Sequence, residues 1–437
     1  MEIKMNKIYS IHDISHDRFK AYTKGTELQW LVVSDYNFCD MDQTLNLWIK
    51  PHKNGRLCPE CGRRCNIVKN PNRKGRSWRD IPLGDWKVEL HYCPHEIICP
   101  THGRRQEKIP WAAAFSRVTH RFEFQRLCMA REMTLSAVAG ILKVPLSTLS
   151  DTLHRCVERE RSNHEIGELK SLGIDEISYA KGRKFATIVY DLDRSKVVWI
   201  GKGKGRETID HFFNDILGIE KALKVTTASC DMAEAYVGAI EHHCKNAELV
   251  LDRFHVVKAI NDAVDEVRKE AWRSMGKNEQ KVIKGLRWLL YRHSKTRTKS
   301  ETRTLNELRK GNNRIYRAWV LKDEFEKVWT YSYRKNAENF LQAWITRALR
   351  SKIAPLKKFA LTVRKHFHRV TAFSITKLTN AVAEGLNRMI KILKNRASGF
   401  HSLRVYSDMI FLKVGDLDIA DQIPKTFQTN CFEASSR

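Results

Sequence analysis

The apolar positions change period along the chain, and each change marks an element. Between Trp86 and Tyr92 apolar and polar residues alternate as in a strand. From Leu135 the spacing lengthens. Leu135, Val138, Ala139 and Leu142 recur at i, i+3, i+4 and i+7, one stripe of a helix. Pro145 stops that helix, and Ser147 is a natural N-cap for a second one. The second helix turns Leu149, Leu153 and Cys156 inward and leaves Ser147, Thr148, Ser150, Asp151, His154 and Arg155 outside. Small polar residues opening the second of two helices suit a helix-turn-helix whose second helix reads a DNA groove. An ordinary helical hairpin is the competing reading.

After Leu172 the apolar runs shorten and are bounded by turn residues. Leu172 to Ser178, Phe185 to Tyr190 and Lys196 to Ile200 read as three strands, the last two joined by the turn Asp191 to Ser195. A helix at about Glu207 to Leu217 precedes a fourth strand, Val225 to Cys230. A helix over Ala233 to His243 precedes a fifth, Glu248 to Leu251. Right-handed crossovers then bring the fourth strand beside the first. Asp175 and Asp231 come to lie on neighbouring strands, the arrangement of a ribonuclease H-like sheet. Two carboxylates held together repel unless a cation separates them, and oxygen donors suit Mg²⁺.

A third acid is expected from a helix packed on that sheet. The stretch from Asn380 to Lys394 carries Val382, Leu386, Met389 and Leu393 as its apolar face. Glu384 lies off that face, near Asn380, Asn387, Arg388 and Lys391 at helical spacing. An acid in a basic, amide-rich stripe suits a metal ligand beside phosphates. Each acid alone has a plainer explanation, a turn cap for a strand-end Asp and solvation for a helical Glu. The three at these topological positions weigh more.

Charge narrows the partner. Lys and Arg number 78 against 50 Asp and Glu, a net charge of +28 spread along the whole chain. Such self-repulsion favours a polyanion ligand, and nucleic acid is the usual one. With 437 residues, 42% of them hydrophobic, the chain has material for two to four domains. No apolar run reaches the ~20 residues of a membrane span, and Met1-Glu2-Ile3-Lys4 leads into no apolar signal segment. A cytoplasmic, nucleoid-associated protein with no membrane partner is expected.

Five of the 11 cysteines, Cys58, Cys61, Cys65, Cys93 and Cys99, cluster. Cys39, Cys128, Cys156, Cys230, Cys244 and Cys431 are isolated and read as reduced thiols. Cys58-Pro59-Glu60-Cys61-Gly62 is a knuckle whose two thiolates can grip one tetrahedral ion. The second half, Cys93-Pro94-His95-Glu96-Ile97-Ile98-Cys99-Pro100-Thr101-His102, has a wider gap. The expected ligands of a structural Zn²⁺ in a zinc ribbon are Cys58, Cys61, Cys93 and Cys99, with Cys65, His95 and His102 as possible replacements.

Four blocks together resemble the ISL3 family of bacterial insertion-sequence transposases. They are Gly173-Ile174-Asp175-Glu176, the run from Cys230-Asp231 to Tyr236, Asp252-Arg253-Phe254-His255, and Asn380 to Asn387 with the following Lys391 to Phe400. The resemblance covers nearly the whole chain. It implies a catalytic triad of Asp175, Asp231 and Glu384 holding Mg²⁺ or Mn²⁺, and metal-dependent strand cleavage and strand transfer on double-stranded DNA, at transposon ends and target, by a homodimer. Asp252, Arg253 and His255 are read as groups that position phosphate or support the acids, with bracing of the helix that follows as the competing reading. Asn380 and Asn387 are read as further supports of the acids, and Arg388 and Lys391 as DNA contacts.

The expected fold class is an α/β multidomain chain. Residues 1–57 form an N-terminal region, 58–110 the zinc ribbon and 111–165 the helix-turn-helix. A ribonuclease H-like catalytic domain follows in two pieces, 166–258 and 371–415, around a helical insertion at 259–370, with a tail at 416–437. Trp272, Trp288, Trp319, Trp329 and Trp344 are expected mainly in the insertion's core, and the basic stretch Tyr291 to Lys299 as a phosphate contact or a solvated loop. Two other readings compete. One is a zinc-containing DNA-binding regulator without catalysis, which has no use for three acids so placed. The other is a related ribonuclease H-like nuclease guided by RNA, in which the zinc module usually interrupts the catalytic domain, whereas here it precedes it.

Overall fold

The computed structural model describes residues 31–415 and 417, apart from 52–55, 69–73, 164, 181, 183, 275, 278, 279, 281, 282, 284, 293–297, 312, 379 and 380. Asn380, Cys431, most of the expected tail and the centre of the basic stretch lie outside the described residues. The chain folds as two compact units, one ending at Asn163 and one spanning His164–Asp416.

Among the described residues of the first unit seven strands come first: β1 (Leu31–Cys39), β2 (Thr44–Pro51), β3 (Asn66–Ile67), β4 (Arg76–Leu83), β5 (Trp86–Tyr92), β6 (Glu96–Cys99) and β7 (Gly103–Gln106). They form a four-stranded sheet in the order β1-β2-β5-β4 and a small sheet in the order β3-β6-β7. This corrects the expected 58–110 block. The β4 and β5 strands do not join the two cysteine knuckles but pair with β1 and β2, from the region expected to stand apart. The reason is apolar burial. The alternation in β5 turns Val88 and Leu90 against Leu45, Leu47 and Trp78, with Trp111 closing the cluster, whereas the small sheet has only Cys58, Ile97 and Cys99 fully inside.

Three helices follow: α1 (His120–Glu132), α2 (Leu135–Ile141) and α3 (Leu146–Asn163). Thr119 and Thr134 cap the first two through their hydroxyls. Ser147 is not the cap of α3. The Pro145 carbonyl accepts the first helical hydrogen bond, from Leu149 N at 3.2 Å, so Ser147 already lies inside the helix. Leu149, Leu153 and Cys156 are buried, joined by Thr152. Ser147, Thr148, Asp151 and Arg155 are exposed, and Ser150 and His154 half-buried.

The second unit is built on a five-stranded sheet of β8 (Ser171–Ala180), β9 (Lys184–Asp191), β10 (Lys196–Lys202), β11 (Thr227–Cys230) and β12 (Glu248–Leu251), in the order β10-β9-β8-β11-β12. The first three strands are antiparallel, and β11 lies parallel to both β8 and β12. The expected helix at Glu207 to Leu217 divides into α4 (Arg206–His211) and a wider turn over Phe212–Leu217, whose extra residue per turn lets the adjacent Phe212 and Phe213 both face inward. Next come α5 (Glu234–His243) and α6 (Arg253–Arg273).

Helices α7 (Lys299–Gly311), α8 (Asn313–Phe325), α9 (Arg334–Arg350) and α10 (Ala354–Lys365) are the longer helices of the insertion beyond α6, and α8 and α10 pack on α6. Trp319, Trp329 and Trp344 belong to its core, but Trp272 is 40% and Trp288 71% exposed. The chain then returns to the sheet through α11 (Ala381–Arg396), against β8, and α12 (Leu403–Val414), against β10. The buried stripe of α11 is Ala383, Leu386 and Ile390, one step round from the expected face, and it leaves Met389 40% exposed. No helix among the described residues is long and apolar enough to cross a membrane.

One buried ion pair ties α1 to β4. Asp80 is fully buried and accepts from Thr119 Oγ1 at 2.6 Å, from Arg121 Nε at 2.8 Å and from Arg121 Nη2. Asp80→Ala strands a buried guanidinium and is expected to destabilise the first unit by about 3–5 kcal/mol, measured by denaturant unfolding. Replacing both partners, Asp80→Ala with Arg121→Met, is expected to recover much of that loss, because no buried charge is then left unpaired.

Candidate active site and candidate metal centre

Strand register brings the acids to one edge of the sheet. The β8–β11 ladder runs from Ser171↔Thr227 to Gly173↔Ser229. Two residues further along each strand stand Asp175 and Asp231. On the other side of β11, Cys230 pairs with Leu251 of β12, so Asp231 and Asp252 follow at the same level. Asp231 Oδ1 accepts from Ala233 N at 2.8 Å, which fixes the turn into α5. Asp252 is buried, caps α6 by accepting from Phe254 N at 2.9 Å, and lies 3.6 Å from His255 Nε2.

Asp175 is the most constrained of the three. Burial pushes its carboxyl above the ordinary value. The Glu176 N–H at 2.7 Å, the nearby His255 and the Asn387 amide pull it back, while Asp252 pushes it up again. Asn387, on α11, donates from Nδ2 to Asp175 Oδ2 at 2.6 Å. Its Oδ1 accepts from the Tyr190 hydroxyl at 2.5 Å. Burial first, and then the charge of Asp175, raise the Tyr190 hydroxyl well above its ordinary range. The tyrosine therefore stays protonated, and a protonated tyrosine facing Oδ1 leaves the Asn387 NH₂ no choice but to face the carboxylate.

Glu384 stands one helical turn before Asn387 on α11, a spacing that puts the two side chains on one face about 5–6 Å apart. It is exposed, as are Arg388 and Lys391. The carboxylate oxygens of Asp175, Asp231 and Glu384 do not all lie within 4.8 Å of one another. Lys394 donates to the carbonyl of Ser178 and so anchors α11 along β8. The Arg253 side chain is exposed and sits 5.8 Å from the Trp329 ring centroid. Sequence reasoning did not single out Tyr190. Its one visible signal is a hydroxyl at the end of an otherwise apolar strand.

The second cluster lies in the first unit. Cys58, Cys61, Cys99 and His102 offer ligand atoms that all lie within 4.8 Å of one another. Cys61 Sγ is 3.6 Å from Cys99 Sγ, and His102 Nδ1 is 3.7 Å from Cys58 Sγ and 3.6 Å from Cys99 Sγ. A tetrahedral ion with sulfur bonds of ~2.3 Å and nitrogen bonds of ~2.0 Å has edges of roughly 3.5–3.8 Å, so the donor set fits. Burial opposes ionisation of Cys99, yet the backbone N–H groups of His102 and Thr101, with the His102 ring and Cys61, bring its thiol down to about 6. No disulfide joins the described cysteines.

The expected fourth ligand, Cys93, is replaced by His102. Cys93 leaves the end of β5 on the side of the large sheet, against Gly75. The β6–β7 hairpin instead turns at Gly103, with φ +68°, and folds Cys99-Pro100-Thr101-His102 back as a second two-residue bite. His95 is engaged elsewhere, 3.0 Å from Glu107 and from the Tyr92 hydroxyl. Cys65 packs against the cluster and points its thiol at the Arg63 carbonyl.

Comparison with known proteins places the chain in a family. The family model for ISL3-type DDE transposases, described as Transposase, matches residues 172–410. The transposase for insertion sequence element IS1001 of Bordetella parapertussis is 30% identical over 382 residues, 86% of this chain and 92% of that protein. The transposase for insertion sequence element IS1557 of Mycobacterium tuberculosis is 27% identical over 371 residues, 79% of this chain and 83% of that one. Among solved structures, the Drosophila P element transposase strand transfer complex covers 70% of this chain and 94% of its own, with a TM-score of 0.34 and 9% identity. A likeness that weak fixes no part of the fold.

The family match over more than half of the chain and these two relatives make the protein an enzyme, a DNA transposase. The chain belongs to the ISL3 family of insertion-sequence transposases.

Cys58→Ser and His102→Ala are each expected to lose the ion bound at the cysteine centre, seen by elemental analysis of the purified protein. Cys93→Ser is expected to keep it. Loss of metal in Cys93→Ser with retention in His102→Ala would reverse the assignment.

Proposed function

We propose that this transposase cuts and joins DNA at the ends of its element with Asp175, Asp231 and Glu384 as its catalytic carboxylates, on a ribonuclease H-like core formed by residues 166–258 and 371–415. The observation that carries the reading is the hydrogen-bonded chain from Tyr190 through Asn387 to Asp175. Two directed donors orient this half-buried carboxylate at the sheet edge where Asp231 and Asp252 also follow their strands. Hard oxygen donors and a carboxyl raised by burial fit divalent cations, Mg²⁺ or Mn²⁺. Such ions, when bound, supply the Lewis acidity that generates the attacking oxygen and stabilises the leaving one.

The side chains provide the geometry. Asp175 is held on one oxygen by Asn387 and on the other by the Glu176 N–H, so its orientation survives the approach of DNA. Asp231 is fixed by the turn it caps. Glu384 arrives on a separate element and closes the set when DNA and cations draw the carboxylates together. Water, and afterwards a 3′-hydroxyl, attacks phosphorus directly, and no side chain becomes joined to DNA. Arg253, Arg388 and Lys391 meet phosphates, and the buried Asp252 with His255 braces the strand end beneath them.

The first unit binds DNA under this reading. Zn²⁺ at Cys58, Cys61, Cys99 and His102 fixes the small sheet. Helix α3, presenting Ser147, Thr148, Ser150, Asp151, His154 and Arg155, reads the terminal inverted repeats as the second helix of a helix-turn-helix. Two ends must be processed together, so the working form is a homodimer on DNA, in the bacterial cytoplasm.

Purified protein incubated with DNA from the element's flanking repeats and Mg²⁺ is expected to nick at the repeat boundary. Asp175→Asn, Asp231→Asn and Glu384→Gln are expected to reduce nicking to background while DNA binding is kept. Asn387→Ala and Tyr190→Phe, which loosen the positioning of Asp175, are expected to lower the rate about 10–100-fold and to raise the metal concentration needed for half-maximal rate. Undiminished cleavage by Asp231→Asn would overturn the assignment.

A further inference from the structure

A cavity of about 690 Å³ opens at the end of the four-stranded sheet of the first unit, a volume in the range of small-ligand sites. Its floor is aromatic. The parallel pairing of β2 with β5 sets Trp48 beside His91. The two rings stack at 5.0 Å with an interplanar angle of 20°. His91 Nε2 lies 2.7 Å from Asn46 Oδ1, which holds the imidazole in place. Trp48 is nevertheless 40% exposed, so one face of the pair is covered and the other is open.

The walls are basic. Lys50, Arg56 and Arg76 line the cavity with Ser77, and no acidic residue is among the described residues lining it. Arg56 carries a second, independent signal, because its Nε is buried with no hydrogen-bond partner. A buried guanidinium N–H without a partner is costly, and phosphate oxygens are its best acceptor.

We propose that this pocket binds one unpaired nucleotide of the DNA, the base stacked on Trp48 and its phosphate held by Arg56, with Lys50 and Arg76 along the backbone. The reading rests on the chain acting on DNA. The open aromatic face selects an unpaired base, because within a duplex both faces of a base are already covered by its neighbours. An aromatic platform beside basic residues is the general device for binding single strands. No residue of α3 lines the pocket, and the pocket gives the protein a way to hold a strand opened at the element's end.

The test uses the full-length protein and fluorescence anisotropy with three labelled DNAs: a fully paired terminal-repeat duplex, a short single strand, and the same single strand with abasic residues. The wild type is expected to bind the single strand about tenfold or more tighter than its abasic counterpart. Trp48→Ala is expected to erase that difference and Trp48→Phe to retain most of it, both with unchanged affinity for the paired duplex. Arg56→Gln is expected to weaken the normal and abasic strands alike. Equal affinity of the wild type for normal and abasic strands, or an undiminished preference in Trp48→Ala, would overturn the pocket while leaving duplex binding intact. Failure to bind the paired duplex as well would instead count against DNA binding itself.

Discussion

Carboxylates crowded at one edge of a sheet set the terms for the second unit. Asp175, Asp231 and Asp252 end up level because β8, β11 and β12 are parallel and in fixed register. Burial disfavours ionisation of Asp175, and the neighbouring Asp252 adds to that penalty. The surrounding structure answers with directed donors. The Glu176, Ala233 and Phe254 backbone N–H groups each serve one of these acids, and Asn387 reaches Asp175 from a helix more than two hundred residues away in sequence. That last contact demands accurate docking of α11, which explains its three anchors: the buried stripe of Ala383, Leu386 and Ile390, the Tyr190 hydroxyl and the Lys394 contact to β8. The helical insertion shares one continuous apolar cluster with the sheet, so the platform behind the acids is stiff.

The first unit is held by different forces at its two sheets. The four-stranded sheet buries a true apolar core and one charged knot at Asp80. The small sheet has too few apolar residues to stand alone. Small modules of this kind depend on a cross-link or a metal for their stability. Three thiols and an imidazole stand at the spacing such a link needs, and the backbone N–H groups of His102 and Thr101 help to lower the Cys99 thiol against its burial.

What the sequence reveals depends on whether the relevant interaction is local. The five strands of the second unit are legible because each is a short apolar run with turn residues at its ends, and the acids are legible because they sit at those ends. The knuckle Cys58-x-x-Cys61 is local and readable. Its partner was legible only in part: Cys99 was expected and His102 stood among three replacements, but the second bite, Cys99-x-x-His102, is formed by a hairpin whose turn needs Gly103 at positive φ. Tyr190 and Trp48 are of another kind. Tyr190 matters because a helix 197 residues later lands on its hydroxyl. Trp48 matters because β2 pairs with β5 in parallel, and nothing near Trp48 announces that pairing. The stripe of α11 was misjudged by one step because Ala383 and Ile390 are buried with Leu386 in the turns where Val382 and Met389 were expected.

Under the proposed assignment of acids and ions, a strongly basic chain that brings a phosphate to a cluster of carboxylates faces opposed electrostatics. The overall charge of +28 draws DNA in from a distance, but within a few ångströms the acids repel the phosphate being cut. Cations solve the near-field problem only if they are numerous and correctly placed. The fixed ones, Arg253, Arg388 and Lys391, are exposed and can follow the backbone without cancelling the acids. Neutralising the acids with fixed side chains would leave no site for the labile ions on which cleavage relies. The use of neutral donors at Asp175, an asparagine amide and a backbone N–H where an arginine would bind more strongly, follows from that requirement. They orient the carboxylate while keeping its negative charge available.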